Sequence, residues 1–187
     1  MKTIAIAGST RHGGNTETLI MEALRGAGAP GDTRPFVIEE MNVHGCQGCR
    51  GCRTGNSDGC IFEDEMQVLY KEMKEADAII LGSPIYYGEV TGQMKCFMDR
   101  WYALRDKDRK LRIAPGKRVL FIIVQGAEGE GRYADAVARI ERVLKSYEMV
   151  PEMLVAAGLE KKGSAKEHPE LLRKAFEAGA RLAGQLK

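Results

Sequence analysis

Apolar and polar positions along the chain follow two alternating periods. Short apolar runs rich in β-branched residues predict strands, and the longer segments between them repeat apolar residues every three or four positions, as amphipathic helices do. The predicted strands cover residues 3–7, 35–38, 78–82, 118–124 and 153–157. The predicted helices cover residues 15–24, 63–74, 91–102, 132–147 and 169–186. This strict alternation predicts a doubly wound α/β domain built on a five-stranded parallel sheet.

Length and charge narrow the class of protein further. The chain has 187 residues and no repeat or linker-like stretch, so we expect a single domain over residues 1–187. Its 28 basic and 26 acidic residues give a net charge of +2, and their even spread predicts neither a nucleic-acid nor a membrane partner. The longest apolar run, residues 119–124, is far shorter than the roughly 20 residues of a membrane span. The first residues lead straight into a strand without a signal peptide, so we expect a cytoplasmic protein with reduced thiols.

The turn after the first predicted strand carries the first candidate site. It reads GSTRHGGNT over residues 8–16 and leads into a helix, so its backbone N–H groups and the helix dipole can bind a phosphate. It lacks both the Gly-Lys-Ser/Thr ending of a nucleoside triphosphate loop and the G-x-G-x-x-G spacing of a dinucleotide fold, and a monophosphate such as that of FMN fits it better. The alternative is an ordinary polar first turn. The predicted phosphate contacts are Ser9, Thr10, Arg11, Asn15 and Thr16.

A second unusual turn, GSPIYYG at residues 82–88, follows the third predicted strand. In the flavodoxin-like strand order 2-1-3-4-5 the first and third strands are neighbours, and ligands bind between their carboxyl ends. Both turns would then open onto one crevice, with apolar surface for the isoalloxazine ring of FMN. The alternative is that these are ordinary turn residues. The predicted ring contacts are Ser83, Pro84, Ile85, Tyr86, Tyr87, Gly88 and, after the fourth strand, Gly126.

A glycine-rich loop at residues 44–62 contains four of the five cysteines. Cys46, Cys49, Cys52 and Cys60 are spaced C-x2-C-x2-C-x7-C, and four thiolates on a flexible backbone match the ligands of a 4Fe-4S cluster. A four-cysteine zinc site and a loop of redox-active or free thiols are the alternatives. Cys96 stands apart in a helical segment and is interpreted as a packing residue. The charged run at residues 105–112 is interpreted as a solvated loop.

These segments together resemble the NADPH-dependent FMN reductase-like flavoproteins, and within them the iron-sulfur flavoprotein subgroup. The resemblance rests on GSTRHGGNT, GCQGCRGCRTGNSDGCIFEDEM and GSPIYYGEVTGQMKCFMDRW, and it covers the first 101 residues. It implies that Ser9, Arg11, Asn15 and Thr16 hold the FMN phosphate and that the four loop cysteines bind a 4Fe-4S cluster. It also implies that residues 84–88 contact the ring and that the protein is a homodimer or homotetramer.

The sequence therefore predicts an iron-sulfur flavoprotein oxidoreductase that passes electrons between a reduced donor, ferredoxin or NAD(P)H, and an acceptor. The alternative is an NAD(P)H-dependent FMN or quinone reductase without a cluster. A non-catalytic electron carrier or zinc-stabilised binding module is a third possibility. No side chain is identified as a proton-transfer catalyst, because His12 and the tyrosines of the second turn are candidates by position alone.

Overall fold

A computed structural model describes residues 1–54 and 57–185 of the chain. Its strands are β1 (Thr3–Ala7), β2 (Phe36–Val37), β3 (Ala78–Tyr86), β4 (Glu89–Val90), β5 (Arg118–Val124) and β6 (Val150–Ala156). Its α-helices are α1 (Asn15–Gly26), α2 (Met66–Glu75), α3 (Gly92–Asp99), α4 (Ala134–Ser146) and α5 (Pro169–Leu182). The parallel strands pair in the order β2-β1-β3-β5-β6, and the short β4 pairs antiparallel with β3. The prediction of a flavodoxin-like parallel sheet is confirmed.

The boundaries differ from the predicted ones where tertiary contacts decide them. β3 extends past residue 82 to Tyr86 because its far end pairs with β4 in a hairpin. The two residues between these strands, Tyr87 and Gly88, both have positive φ angles of 50° and 84°, as the tight hairpin turns that match strand twist require. The third helix ends at Asp99 and continues as a 3-10 helix to Leu104. Leu186, the predicted end of the last helix, lies outside the described residues.

The two faces of the sheet are buried under different helices. One face packs around the fully buried Trp101, which makes edge-to-face contacts with Phe97 and Tyr147 at centroid distances of 5.4 and 5.7 Å. α1 and α5 cover the other face through small and aliphatic side chains. Among the described residues, no helix combines the length and the apolar character needed to cross a bilayer.

Two glycines allow α1 and α5 to pack backbone against backbone. A Cβ at Gly26 would overlap the carbonyl oxygen of Phe176, and a Cβ at Gly179 would overlap that of Ala23. The obstructing atoms belong to helical backbone, which cannot rotate away as a side chain can. The close approach of these helices therefore depends on both glycines, and it fixes α1, whose first residues belong to the first turn.

We expect Gly179→Ala to destabilise the protein. Alanine normally stabilises a helix interior by about 1 kcal/mol over glycine, but overpacking here should outweigh that gain and cost about 1–3 kcal/mol. Urea unfolding followed by circular dichroism measures the change. Gly31→Ala is the matched control, because a Cβ there meets no atom within 4 Å. A Gly179→Ala variant as stable as the parent protein would contradict this account of the packing.

Candidate functional site

The sheet pairing brings the two unusual turns together. β1 and β3 are parallel neighbours with Ala7 opposite Gly82, and the N–H of Gly8 donates to the carbonyl oxygen of Gly82 at 2.8 Å. Both turns therefore leave the sheet side by side at its carboxyl edge. Between them lies a crevice of about 180 Å³ whose walls come from both turns, the end of β5 and the loop after β6. Its lining residues are Ser9, Arg11, Asn15, Thr16, Pro84, Ile85, Tyr86, Val124, Gly126, Leu159, Glu160 and Lys162.

The end of the crevice that the first turn forms is polar and positively charged. The buried hydroxyl residues Ser9 and Thr16 line it, and Arg11 and Lys162 add two cations against the one carboxylate of Glu160. α1 begins there without a side-chain cap, so its first backbone N–H groups remain available to an anion. The Gly13 N–H is not available, because it donates to Glu17 Oε2 at 2.7 Å. The residues present therefore suit a monoanionic or dianionic group at this end.

Asn15 lines the crevice, and its side-chain amide also bonds to the loop after β6. Its Nδ2 donates to the carbonyl oxygens of Leu159 and Lys161 at 3.1 and 2.8 Å, and its Oδ1 accepts from the N–H of Ala165 at 3.0 Å. These bonds occupy both N–H donors of the amide and one acceptor site on its oxygen. Asn15 thus fixes the loop after β6, which forms one wall of the crevice and includes Lys162. No pattern in the sequence indicates this wall.

The second turn divides into residues that face the crevice and residues that do not. Pro84, Ile85 and Tyr86 lie in its wall, as does the predicted Gly126. The side chain of Ser83 is fully buried, where its Oγ donates to the Pro84 carbonyl oxygen and accepts from the Thr91 N–H at 3.1 Å. Thr10 and the fully exposed Tyr87, with Gly88 beside it at the hairpin tip, are not among the lining residues.

Thr91 is another residue that sequence reasoning missed. Its Oγ1 donates to the Gly8 carbonyl oxygen and accepts from the Met94 N–H at 3.2 Å, where it caps α3. Since its own N–H donates to Ser83, this one threonine joins the first turn, the second turn and a helix. A threonine directly before a predicted helix is a recognisable N-cap signal, but its link to Gly8, 83 residues away, is not visible in the sequence.

The four loop cysteines line a second, narrow and mostly apolar cavity. Its walls include Cys46, Cys49, Cys52 and Cys60 together with Phe62, Arg100, Tyr102 and Ala103. Cys96 is not part of this lining. Burial raises the pKa of the Cys52 thiol above its ordinary value. Within residues 1–54 and 57–185, no group of three or more His, Cys, Asp or Glu side chains is arranged to hold a single metal ion.

Two arginines hold the cysteine loop by its backbone. Arg112 donates through Nη1 to the Cys52 carbonyl oxygen at 3.0 Å and through Nη2 to that of Ser57 at 2.6 Å. Arg100 donates to the His44 carbonyl oxygen at 2.9 Å. Arg112 belongs to the run predicted to be a solvated loop, and its guanidinium instead fastens the cysteine loop to the body of the protein.

Arg100 and Asp64 form a buried ion pair beside the cavity. Two bonds of 2.7 and 3.1 Å join the guanidinium to the carboxylate, and both side chains are at most 2% exposed. Burial alone would raise the pKa of Asp64, but hydrogen bonds from Arg100 and from the His44 N–H lower it below its usual range. Over the part of the chain that the structure describes, no hydrogen-bond partner is found for the buried Arg100 Nε. A guanidinium group in the wall of a cysteine-lined cavity suits an anionic group bound there.

Comparisons with known proteins agree with this geometry. The family model described as NADPH-dependent FMN reductase matches residues 1–161. An iron-sulfur flavoprotein of Methanocaldococcus jannaschii is 32% identical over 153 residues, which cover 81% of this chain and 74% of that protein. A second one from the same organism is 42% identical over 106 residues, covering 56% of this chain and 54% of that protein. An iron-sulfur flavoprotein of Methanosarcina thermophila is 37% identical over 113 residues, covering 60% and 58%.

The chain thus spans little more than half the length of two of these relatives. A solved NAD(P)H:quinone oxidoreductase from Methanothermobacter marburgensis shares the fold, with a TM-score of 0.71 at 14% identity, over 97% of this chain and 96% of that one. The family model covers most of the chain, including both turns and the cysteine loop. The chain therefore belongs to the NADPH-dependent FMN reductase family, and it is similar within that family to proteins named iron-sulfur flavoproteins.

Proposed function

We propose that the chain is an FMN-dependent oxidoreductase that also carries a 4Fe-4S cluster and passes electrons between a reduced donor and an acceptor. One observation carries the proposal: Cys46, Cys49, Cys52 and Cys60 line a single cavity, together with Arg100. When bound, FMN supplies hydride acceptance and stepwise electron release, and the cluster supplies single-electron transfer. Ferredoxin, NAD(P)H and a quinone are the proposed partners, and a homodimer or homotetramer is the proposed assembly.

Different crevice residues would hold the phosphate and the ring of FMN. Ser9, Thr16 and the uncapped start of α1 would hold the phosphate, with Arg11 and Lys162 supplying attraction at longer range. Pro84, Ile85 and Tyr86 would set the plane of the ring against a mostly rigid sheet edge. Thr91 and Asn15 would act as positioning residues, because each holds one wall of the crevice without lining the ring end.

The cysteine loop would hold the cluster through Cys46, Cys49, Cys52 and Cys60. The Arg100 side chain would place its positive charge beside the bound anionic group while Asp64 fixes its orientation. Cys46 and Cys49 are exposed and Cys52 is buried, so one side of the site faces solvent. That exposure gives a partner access to the site.

Thr16→Val is expected to weaken FMN binding about tenfold or more, because a hydrogen bond to a charged group is worth about 1.5–3 kcal/mol. The variant should leave riboflavin binding unchanged, since riboflavin has no phosphate. Fluorescence titration of the flavin-free protein with each flavin separates the two effects. Thr18→Val is the matched control on the same helix, because the Thr18 hydroxyl donates to the Gly14 carbonyl oxygen and does not line the crevice. Equal losses for FMN and riboflavin would show that Thr16 does not contact the phosphate.

Cys49→Ser is expected to abolish the cluster and to leave FMN bound. Anaerobic purification followed by iron, zinc and acid-labile sulfide assays and an absorption spectrum measures both groups. Cys96→Ser is the control, because Cys96 lies outside the cysteine cavity, and it should retain about four irons per chain. Flavin without iron in the parent protein would instead support an NAD(P)H-dependent flavin or quinone reductase. Zinc without flavin would contradict both.

A further inference from the structure

A basic cleft of about 620 Å³ lies beside the cysteine loop, and no function has yet been given to it. Its lining contains five basic side chains and two tyrosines, Tyr102 and Tyr147, and no acidic residue. The basic residues are Arg50, Arg53, Arg105, Lys107 and Arg109. A chain with a net charge of only +2 has therefore concentrated five positive charges in one cleft.

The arginines of the basic cleft are held in place by uncharged partners. The Arg53 guanidinium lies 4.2 Å from the Tyr102 ring centroid and donates to the Asp106 carbonyl oxygen. The Arg105 guanidinium lies 4.9 Å from the Tyr147 ring centroid and donates to the carbonyl oxygens of Arg109 and Ser146. Backbone carbonyls and aromatic rings fix these cations without cancelling their charge.

Carboxylates do little to neutralise the cleft. Among the described residues, the ion pair found at its rim joins Lys107 Nζ to Asp108 at 3.4 Å, with both side chains more than half exposed. Such exposed pairs contribute little. The Asp106 carboxylate accepts from the N–H groups of Asp108 and Lys110 within its own turn. The five cations of the lining outnumber these two carboxylates, so the cleft keeps a positive field that reaches into solvent.

The basic cleft adjoins the cysteine cavity and lies away from the flavin crevice. Arg50 and Tyr102 line both the cleft and the cysteine cavity, so the two spaces share a wall. Tyr147 precedes β6 and the 105–109 segment precedes β5, whereas the crevice lies at the carboxyl ends of the strands. The seven residues of β5, which run from the amino edge of the sheet to its carboxyl edge, span about 23 Å.

We propose that the basic cleft docks the acidic surface of a one-electron carrier protein next to the cysteine loop. The redox part rests on the proposed cluster: one electron passes from the reduced carrier to the oxidised cluster, so the carrier is oxidised, the cluster is reduced, and no bond or proton changes place. The docking part rests on charge alone. A small phosphate-bearing ligand fits less well, because Arg53 and Arg105 already donate through Nη atoms to backbone carbonyl oxygens. Attraction of a protein surface through a long-range field needs no free donors.

The test is a charge reversal at the two exposed rim residues, Lys107→Glu with Arg109→Glu. The probe is a pre-reduced, acidic plant-type [2Fe-2S] ferredoxin, and stopped-flow absorbance measures how fast it reduces the holoprotein. Rates are compared at about 0.01 M and about 0.1 M ionic strength, where the Debye length falls from roughly 30 Å to roughly 10 Å. At low ionic strength we expect the double variant to be slower by about tenfold or more. This difference should shrink at the higher ionic strength. Electron transfer from the pre-reduced holoprotein to a basic cytochrome c should not be slowed.

The matched control reverses two exposed cations elsewhere, Lys166→Glu with Arg173→Glu, and changes the net charge by the same amount. An equal fall in rate in the control, or no fall in either variant, would overturn the proposal. It would also be overturned if tripolyphosphate bound the cleft at micromolar concentration while the charge reversal at Lys107 and Arg109 left the rate of reduction by ferredoxin unchanged. Iron and sulfide content is measured first on each protein. If the parent holds no cluster, the proposed function fails, and calorimetric binding of ferredoxin to the parent and both variants still decides the docking surface.

Discussion

The candidate site depends above all on the parallel pairing of β1 with β3. That pairing places Ala7 opposite Gly82 and lets Gly8 donate to Gly82, so two turns more than 70 residues apart in the sequence begin from adjacent points. A shift of the register by one residue would turn every side chain of the strand to the other face and would separate the turns. A Cβ at Gly82 would lie 2.7 Å from Ile20 Cδ1, so the end of β3 also packs directly on α1. The same few residues thus set the sheet register, the helix position and the crevice.

The cysteine loop is ordered by a different interaction, the capture of backbone carbonyls by buried or half-buried guanidinium groups. A long loop without a ladder of backbone bonds must satisfy its carbonyl oxygens in some other way. Arg112 serves two of them in the loop, and Arg100 serves a third while its own charge is balanced by Asp64. The charge of each arginine therefore stays close to the thiols. A loop fastened in this way keeps its cysteines near one cavity even though its described residues contain almost no regular structure.

Hydrophobic periodicity was sufficient to predict the parallel sheet and the helices, because parallel strands covered on both faces leave a strong apolar signal. The strand order followed from the flavodoxin-like class, and the short β4 was not predicted. The two turns were also predictable as neighbours, since the strand order decides which carboxyl ends meet. The particular role of each polar side chain was not. Asn15 and Ser83 have the residue types expected of ligand contacts, yet their side chains bond to Ala165 and Thr91 within the protein. Such assignments depend on which chain segments meet, and a local pattern does not contain that information. Arg112 was interpreted as part of a solvated loop for the same reason.

The placement of the two sites relative to the sheet gives the proposed electron path a direction. The flavin crevice lies at the carboxyl edge, and the basic cleft, which shares Arg50 and Tyr102 with the cysteine cavity, lies near the starts of β5 and β6. A hydride donor and a carrier protein would therefore approach separate surfaces, and neither would have to leave before the other could bind. Attraction of a carrier through a broad positive field speeds encounter more than it strengthens the complex. Fast arrival with easy release suits a carrier that must depart after each electron, so the chemistry of the cleft matches a transient partner better than a permanent one.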